Sequence, residues 1–206
     1  MSVRINAFFI LIFFPAVIRA AVYYIPQDYA SLPSAVSAAV NGDSIIYTES
    51  MTDSMTSVNL TKQISICADY DVRPVLTITS ASSYFFLLNA SNITLRGITF
   101  DCGYNAGNGL QIEKSSISVI NCIVKGATNY AVGGNVSGIT NILIESCLIF
   151  TNNSAGAYNS YGIALTSTYS NCLIYRNIFV KNTYAQISIG NSGVPSCINI
   201  FGNTVF

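Results

Sequence analysis

The side chains of this 206-residue chain that are the foremost candidates for chemistry are carboxylates, thiols and tyrosines, and the sequence contains no histidine. This absence excludes serine–histidine–aspartate triads, histidine-ligated zinc and acid–base catalysis by imidazole. Hydrolysis of a glycosidic bond needs two carboxylates flanking that bond. The nine acidic residues are scattered: Asp28, Asp43, Glu49, Asp53, Asp69, Asp71, Asp101, Glu113 and Glu145. Alignment of the repeats described below leaves Glu145 without a carboxylate partner, so we predict no catalytic residue.

Three tyrosines are candidate contacts for a glycan. Tyr130, Tyr161 and Tyr184 each precede a small residue at the start of a recurring strand. A file of rings on an extended scaffold can bind sugars by stacking. The simpler interpretation is an aromatic column that packs against the turn.

Six cysteines in an exported chain would ordinarily suggest disulfides. The repeat aligns Cys122 with Cys147 and places Cys172 in another column. Parallel side chains on neighbouring coils hold their Cβ atoms about 4.8 Å apart, more than the roughly 3.5–4.5 Å of a disulfide. We therefore predict three buried free thiols, with bridging as the alternative. The sequence leaves open the state of Cys67, Cys102 and Cys197, and its spacing predicts no metal site and no cofactor.

The first 20 residues have the pattern of a secretory signal peptide. Arg4 precedes an apolar run that Pro15 interrupts, and Ala20 offers a small residue at the cleavage position. The alternative, an uncleaved membrane anchor, is limited by Arg19. We predict a secreted or cell-surface protein with no membrane span after signal removal. Five sequons are compatible with export: Asn59, Asn89, Asn92, Asn135 and Asn152.

Composition excludes several kinds of partner. Only 9% of the residues are charged, and nine basic residues balance nine acidic ones. With balanced charge, the chain has no excess of positive charge that would attract nucleic acid or anionic lipid. The 51% hydrophobic content argues against disorder.

Short apolar runs recur every 24 to 30 residues, beginning at Ile93, Ile117, Ile142, Cys172 and Ile198. A strand of three to five residues cannot bury its apolar face alone. Stacked about 4.8 Å from an identical strand, it shares a continuous core. The repeat therefore predicts a solenoid over residues 44–206, in which the aligned Asn177 and Asn203 form a ladder of amides. The alternative, an antiparallel β-sandwich, would not require matched columns.

A short helix is predicted before the coils, in a cap region over residues 21–43. One apolar stripe runs through Leu32, Ala35, Val36, Ala39 and Val40. Ser31 can cap the start of this helix, and Asn41-Gly42 can end it.

The stretch from Ile25 to Gly42-Asp43-Ser44-Ile45-Ile46 resembles the opening of right-handed parallel β-helix proteins of the pectate-lyase-like superfamily. Residues 92–100 resemble a coil of that group. The resemblance runs from about Tyr24 to the end, and implies an all-β, right-handed parallel β-helix solenoid with a short N-terminal capping helix. Lyases, glycosidases, esterases and non-enzymatic surface proteins share this fold, so it implies little about function.

The resemblance also implies two kinds of active site. Polygalacturonases of the superfamily carry Gly-His-Gly, which this chain lacks. Pectate lyases use a calcium site of several carboxylates with an arginine or lysine base. The group that could attempt this chemistry is Asp69, Asp71, Asp101, Arg73 and Arg96. Solvated turn residues are the simpler interpretation.

Two features predict contacts with other molecules. Ile123, Leu148 and Ile178 form an outward-facing apolar line. The coil at Phe206 has no cap, so we expect either a longer family member or self-association through this end. We predict an exported, non-catalytic β-helix protein that serves as a surface or adhesion scaffold and contacts polysaccharide or cell-surface glycan. The alternative is a truncated or degenerate relative of polysaccharide lyases or glycoside hydrolases.

Overall fold

A computed structural model describes residues 19–150, 160–190 and 196–206. Most of the predicted signal peptide and the Asn152 sequon lie outside these residues. No helix within the described ranges is long and apolar enough to cross a bilayer.

The described chain forms three parallel sheets around one core. Sheet A contains β1 (Val22–Ile25), β2 (Ser44–Tyr47), β5 (Ser65–Ala68), β8 (Ile93–Arg96), β11 (Ile117–Ile120), β14 (Ile139–Glu145), β17 (Tyr169–Tyr175) and β20 (Ser196–Phe201). Sheet B contains β3 (Thr52–Met55), β6 (Val75–Ile78), β9 (Thr99–Asp101), β12 (Ile123–Lys125), β15 (Leu148–Phe150), β18 (Ile178–Val180) and β21 (Thr204–Val205). Sheet C contains β4 (Val58–Leu60), β7 (Ser82–Leu88), β10 (Ala106–Ile112), β13 (Tyr130–Gly134), β16 (Tyr161–Leu165) and β19 (Ala185–Ile189).

The chain visits the three sheets in turn, and each strand pairs in parallel with its equivalent one coil later. Val119 is in register with Leu95 on one side and Ile144 on the other. Val119, Ile144 and Ile174 are all 0% exposed. The predicted parallel β-helix and its inward-facing columns are confirmed, and the antiparallel sandwich is excluded.

The predicted amide ladder is also present. The Asn177 side chain accepts a hydrogen bond from the Cys147 N–H at 2.9 Å and donates one to the Ile144 carbonyl at 2.9 Å. Asn203 repeats the pattern one coil later, accepting from the Asn177 N–H at 2.9 Å. In the same column, the Cys147 thiol donates to the Val119 carbonyl at 3.5 Å. A weaker donor therefore replaces the amide in the two preceding coils, at Cys122 and Cys147.

Sharp turns lead from sheet A to sheet B. In five coils a single left-handed residue, with φ between 50° and 77°, makes the turn: Gly97, Asn121, Ser146, Arg176 and Gly202. The coil that contains β5 differs, because its chain runs from Asp69 to Pro74 before β6 begins. This longer loop forms one of the two sites described below.

The helix α1 spans Leu32–Ala38 and differs in two ways from the prediction. The Ser31 side chain makes no capping hydrogen bond. Instead the buried Asp53 accepts the Leu32 N–H at 2.6 Å and the Tyr47 hydroxyl at 2.9 Å. The helix also ends before Asn41-Gly42, and Val40 is 51% exposed.

Asp43 fixes the chain that follows the helix. Its carboxylate accepts the Val40 N–H and the Ala21 N–H, both at 2.7 Å. One local and one long-range hydrogen bond therefore hold the chain just after the helix, where Ala39 packs in the core.

The apolar residues predicted to face outward do so in part. Ile123 and Leu148 are half-buried, and Ile178 is exposed. At the last coil, Val205 and Phe206 are exposed. Self-association through this coil stays a prediction.

Candidate functional site

The outer face of sheet C brings polar side chains of three coils into one row. Asn108 of β10 is in register with Tyr130 of β13, which is in register with Tyr161 of β16. Register in a parallel sheet places equivalent side chains about 4.8 Å apart. The row therefore presents an amide and two phenols side by side.

Hydrogen bonds hold the polar groups on this face. The Asn129 amide donates to Asn108 at 2.8 Å, and the Asn108 amide donates to Gln111 at 2.8 Å. Gln111 in turn donates to the Glu113 carboxylate. Each side chain fixes the orientation of the next, which prearranges the face for a polar ligand.

A groove lies over the middle of this face, with a cavity volume of about 200 Å³. We call it the amide groove, and define it by its lining residues Asn108, Gln111, Asn129, Tyr130, Asn135, Tyr161, Ala164 and Thr166. The backbone of the next strand approaches closely at Gly133, where a Cβ would overlap the Ala164 carbonyl oxygen, so this position requires glycine. The groove is lined by amides, hydroxyls and aromatic rings.

The three candidate tyrosines are not equivalent. Tyr130 is 7% exposed, whereas Tyr184 is 62% exposed. Tyr184 does not continue the row, because Ala185 is the partner of Tyr161, but its ring contacts the Tyr161 ring at 5.0 Å between centroids. Burial raises the pKa of Tyr130, with the charge of Glu113 as the second cause, so its hydroxyl stays protonated and able to donate.

A second site lies beneath the long loop that follows β5. A cavity of about 510 Å³ is lined by Ala68, Asp69, Tyr70, Asp71, Val72, Arg73, Arg96 and Asn121. We call it the charged cavity. Four of the five charged candidates meet there.

Asp101 is not part of this group, which corrects the expectation from sequence. It lies on sheet B, where its carboxylate forms an ion pair with Lys125 at 2.7 Å. It lines a separate hollow with Tyr104 and Phe150. The turn at Gly97 separates it from Arg96, because it sends the chain onto another sheet.

Arg73 spans two coils to complete the charged cavity. Its guanidinium donates to the Asn121 carbonyl and, at 3.2 Å, to the Asn121 side chain. Arg96 is in register with the half-buried Cys67, and burial raises the pKa of this thiol although the neighbouring Arg96 acts to lower it. Arg73 is therefore held in place by a neutral partner.

All six cysteines are free, as predicted for Cys122, Cys147 and Cys172, which are buried. Cys102 is buried as well, and burial raises the pKa of its thiol. No group of three or more potential metal ligands occurs in the part of the chain that the structure describes.

Thiol labelling of the native protein should follow this burial. We expect the exposed Cys197 to react rapidly with a thiol reagent and the half-buried Cys67 to react slowly. The other four should react only after denaturation, because thiolates form poorly in apolar surroundings. Mass spectrometry of peptides labelled over time would measure these rates. Rapid labelling of Cys147 in the folded protein would contradict the buried column.

Sequence reasoning missed most of the amide groove. Gln111 stood in a recurring segment, but its neighbours lie in loops that precede or follow the strands of sheet C: Asn129, Asn135 and Thr166. Their only signal is that each lies within two residues of a recurring strand. Abundant asparagine and threonine in this sequence hide that signal.

No family model and no curated protein matches the sequence. Among solved structures, the crystal structure of pectate lyase Pel9A matches with a TM-score of 0.43 and 14% identity, over 90% of this chain and 77% of that one. The structure of the PL6 family alginate lyase AlyGC matches with a TM-score of 0.39 and 12% identity, over 94% of this chain and 41% of that one. The coordinates themselves establish the parallel β-helix.

Proposed function

We propose that this protein is an exported, non-catalytic scaffold whose amide groove binds a neutral glycan. The observation that carries the proposal is the lining of the groove, which combines four amide side chains with two tyrosines. Amides both donate and accept hydrogen bonds, as sugar hydroxyls do. Tyrosine adds an apolar ring face against which a sugar ring can pack.

The contacts within the groove support binding more than catalysis. Glu113 is the carboxylate bonded to this amide chain, through Gln111. Glycoside hydrolysis requires two carboxylates that flank the bond. The lining residues of the groove include neither a carboxylate nor a basic side chain.

The alternative, a relative of polysaccharide lyases or glycoside hydrolases, finds its support in the charged cavity. Two carboxylates and two arginines meet there. The resemblance implies a calcium site of several carboxylates, but only Asp69 and Asp71 line this cavity, because Asp101 lies outside it and pairs with Lys125. We therefore expect binding without cleavage.

Incubation with a panel of neutral and acidic polysaccharides tests both functions. We expect a neutral glycan to bind, and Tyr161→Ala to weaken that binding about tenfold, which corresponds to about 1.4 kcal/mol of lost ring contact. Tyr161→Phe keeps the ring and should retain most of the affinity. Isothermal titration calorimetry would measure the binding.

Tyr24→Ala is the matched control, because Tyr24 is an exposed tyrosine on sheet A, away from the groove. The Tyr24→Ala variant should bind the glycan with the same affinity as the unmodified protein. New unsaturated or reducing ends in the reaction mixture would refute the non-catalytic assignment. Equal loss of affinity in Tyr24→Ala and Tyr161→Ala would place the glycan elsewhere.

A further inference from the structure

The charged cavity has a composition that glycan binding at the amide groove does not explain. It lies under the Asp69–Pro74 loop, where the chain passes from sheet A to sheet B, whereas the groove lies on sheet C. Two carboxylates, Asp69 and Asp71, and two guanidinium groups, Arg73 and Arg96, line one space of about 510 Å³. Pockets that hold small molecules usually have volumes of about 300–1,000 Å³.

The opposite charges in this cavity do not neutralise one another. In the described ranges, the ion pair that forms is the one between Lys125 and Asp101, outside the cavity. Asp69 accepts only the neighbouring Tyr70 N–H, at 3.0 Å. The cavity therefore presents separate positive and negative groups to whatever enters it.

Both positive groups retain free donors, and Arg73 is also oriented by its hydrogen bonds. Arg73 uses two of its nitrogens on Asn121, and Arg96 lies on β8 in register with Cys67 of β5. A guanidinium carries five N–H donors in a fixed plane, so each arginine keeps donors for a ligand. Paired donors of this kind favour a carboxylate.

The charge pattern selects among ligands. The arginines would attract a simple anion, but Asp69 and Asp71 would repel it. A simple cation would be attracted by the two carboxylates and repelled by the arginines. A molecule with one carboxylate and one ammonium group gains from both. Tyr70 lines the same cavity and is 89% exposed, which leaves its ring available for a side chain of the ligand.

We propose that the charged cavity binds a small zwitterion, a free α-amino acid, with its carboxylate on Arg73 and Arg96 and its ammonium group on Asp69 and Asp71. This site is independent of the amide groove. A variant that no longer binds the amino acid should still bind the glycan, and a variant that no longer binds the glycan should still bind the amino acid.

Calorimetric titration with four probes tests the proposal. Phenylalanine as the free amino acid carries both charges, whereas 3-phenylpropionate and 2-phenylethylamine each keep one charge on a similar skeleton. Glucuronate offers a carboxylate with hydroxyls in place of the ammonium group. We expect the amino acid to bind at least tenfold more tightly than the other three. Equal or tighter binding of any of those three, or no binding of the amino acid, would overturn the proposal.

Variants then locate the site. Asp71 has φ 60°, a conformation that asparagine tolerates, so Asp71→Asn removes a charge without straining the loop. We expect Asp71→Asn and Arg73→Gln each to weaken amino-acid binding about tenfold or more. Lys125→Gln is the control, since it removes a charge outside the cavity, and its affinity should be unchanged. Unchanged binding in a folded Asp71→Asn protein would place the zwitterion elsewhere and overturn the assignment.

Discussion

Replacement of Asn177 with leucine is expected to lower the free energy of unfolding by about 3–5 kcal/mol. Asn177 is fully buried, and its amide satisfies the Cys147 N–H and the Ile144 carbonyl while it also donates to Asn203. Each buried backbone group left without a partner costs about 1–3 kcal/mol. Urea denaturation followed by circular dichroism would measure the change.

Asn199→Leu is the matched control. Asn199 lies on β20 and is exposed, so the same substitution there should change stability by less than about 0.5 kcal/mol. The reverse change in the ladder, Cys147→Asn, should stabilise by about 1 kcal/mol, since an amide can bond the Val119 carbonyl more strongly than the thiol does. Equal effects of Asn177→Leu and Asn199→Leu would show that the ladder contributes nothing beyond its packing.

Replacement of Asp53 with alanine is expected to destabilise the N-terminal cap by about 2–4 kcal/mol. One Asp53 oxygen accepts both the first N–H of the helix and the Tyr47 hydroxyl, and both partners are buried. The substitution would leave two buried donors unsatisfied. Hydrogen exchange of the helix amides should accelerate before that of sheet A, because local unfolding of the end coil requires less free energy than global unfolding.

Two variants test this explanation. Asp53→Asn keeps an acceptor and should lose less stability than Asp53→Ala. Asp28 also accepts a backbone N–H, from Tyr24 at 2.8 Å, but at an exposed position. Asp28→Ala should therefore cost less than about 1 kcal/mol. If Asp28→Ala and Asp53→Ala are equally harmful, burial is not the source of the effect.

The repeat was predictable because its physical cause is visible in the sequence. Parallel stacking requires that an apolar residue lie above an apolar residue, and Ile117, Ile142 and Cys172 show this directly in register. The position of the helix was predicted correctly, but its length was not. Its start depends on Asp53, which reaches Leu32 only through the fold. The chain after its end is held by Asp43, which bonds both the nearby Val40 N–H and the distant Ala21 N–H.

The two sites were predictable only in part. Tyr130 and Tyr161 belong to recurring strands, so their common row followed from the repeat. Arg73 and Asn121 are 48 residues apart, and their contact depends on a loop that the repeat does not specify. Asp101 follows Arg96 closely in sequence, yet one left-handed residue at Gly97 separates their side chains onto different walls.

The parallel register also makes the length of this protein adjustable. Ile93 pairs with Ile117, and Ile117 pairs with Ile142. The two stacking surfaces of each layer, that is, of each coil, are therefore hydrophobic in the same way. Duplication or loss of one complete layer would preserve every type of contact along the axis. Evolution can therefore move the amide groove nearer to or farther from the N-terminal helix in steps of one layer, without redesigning either of them.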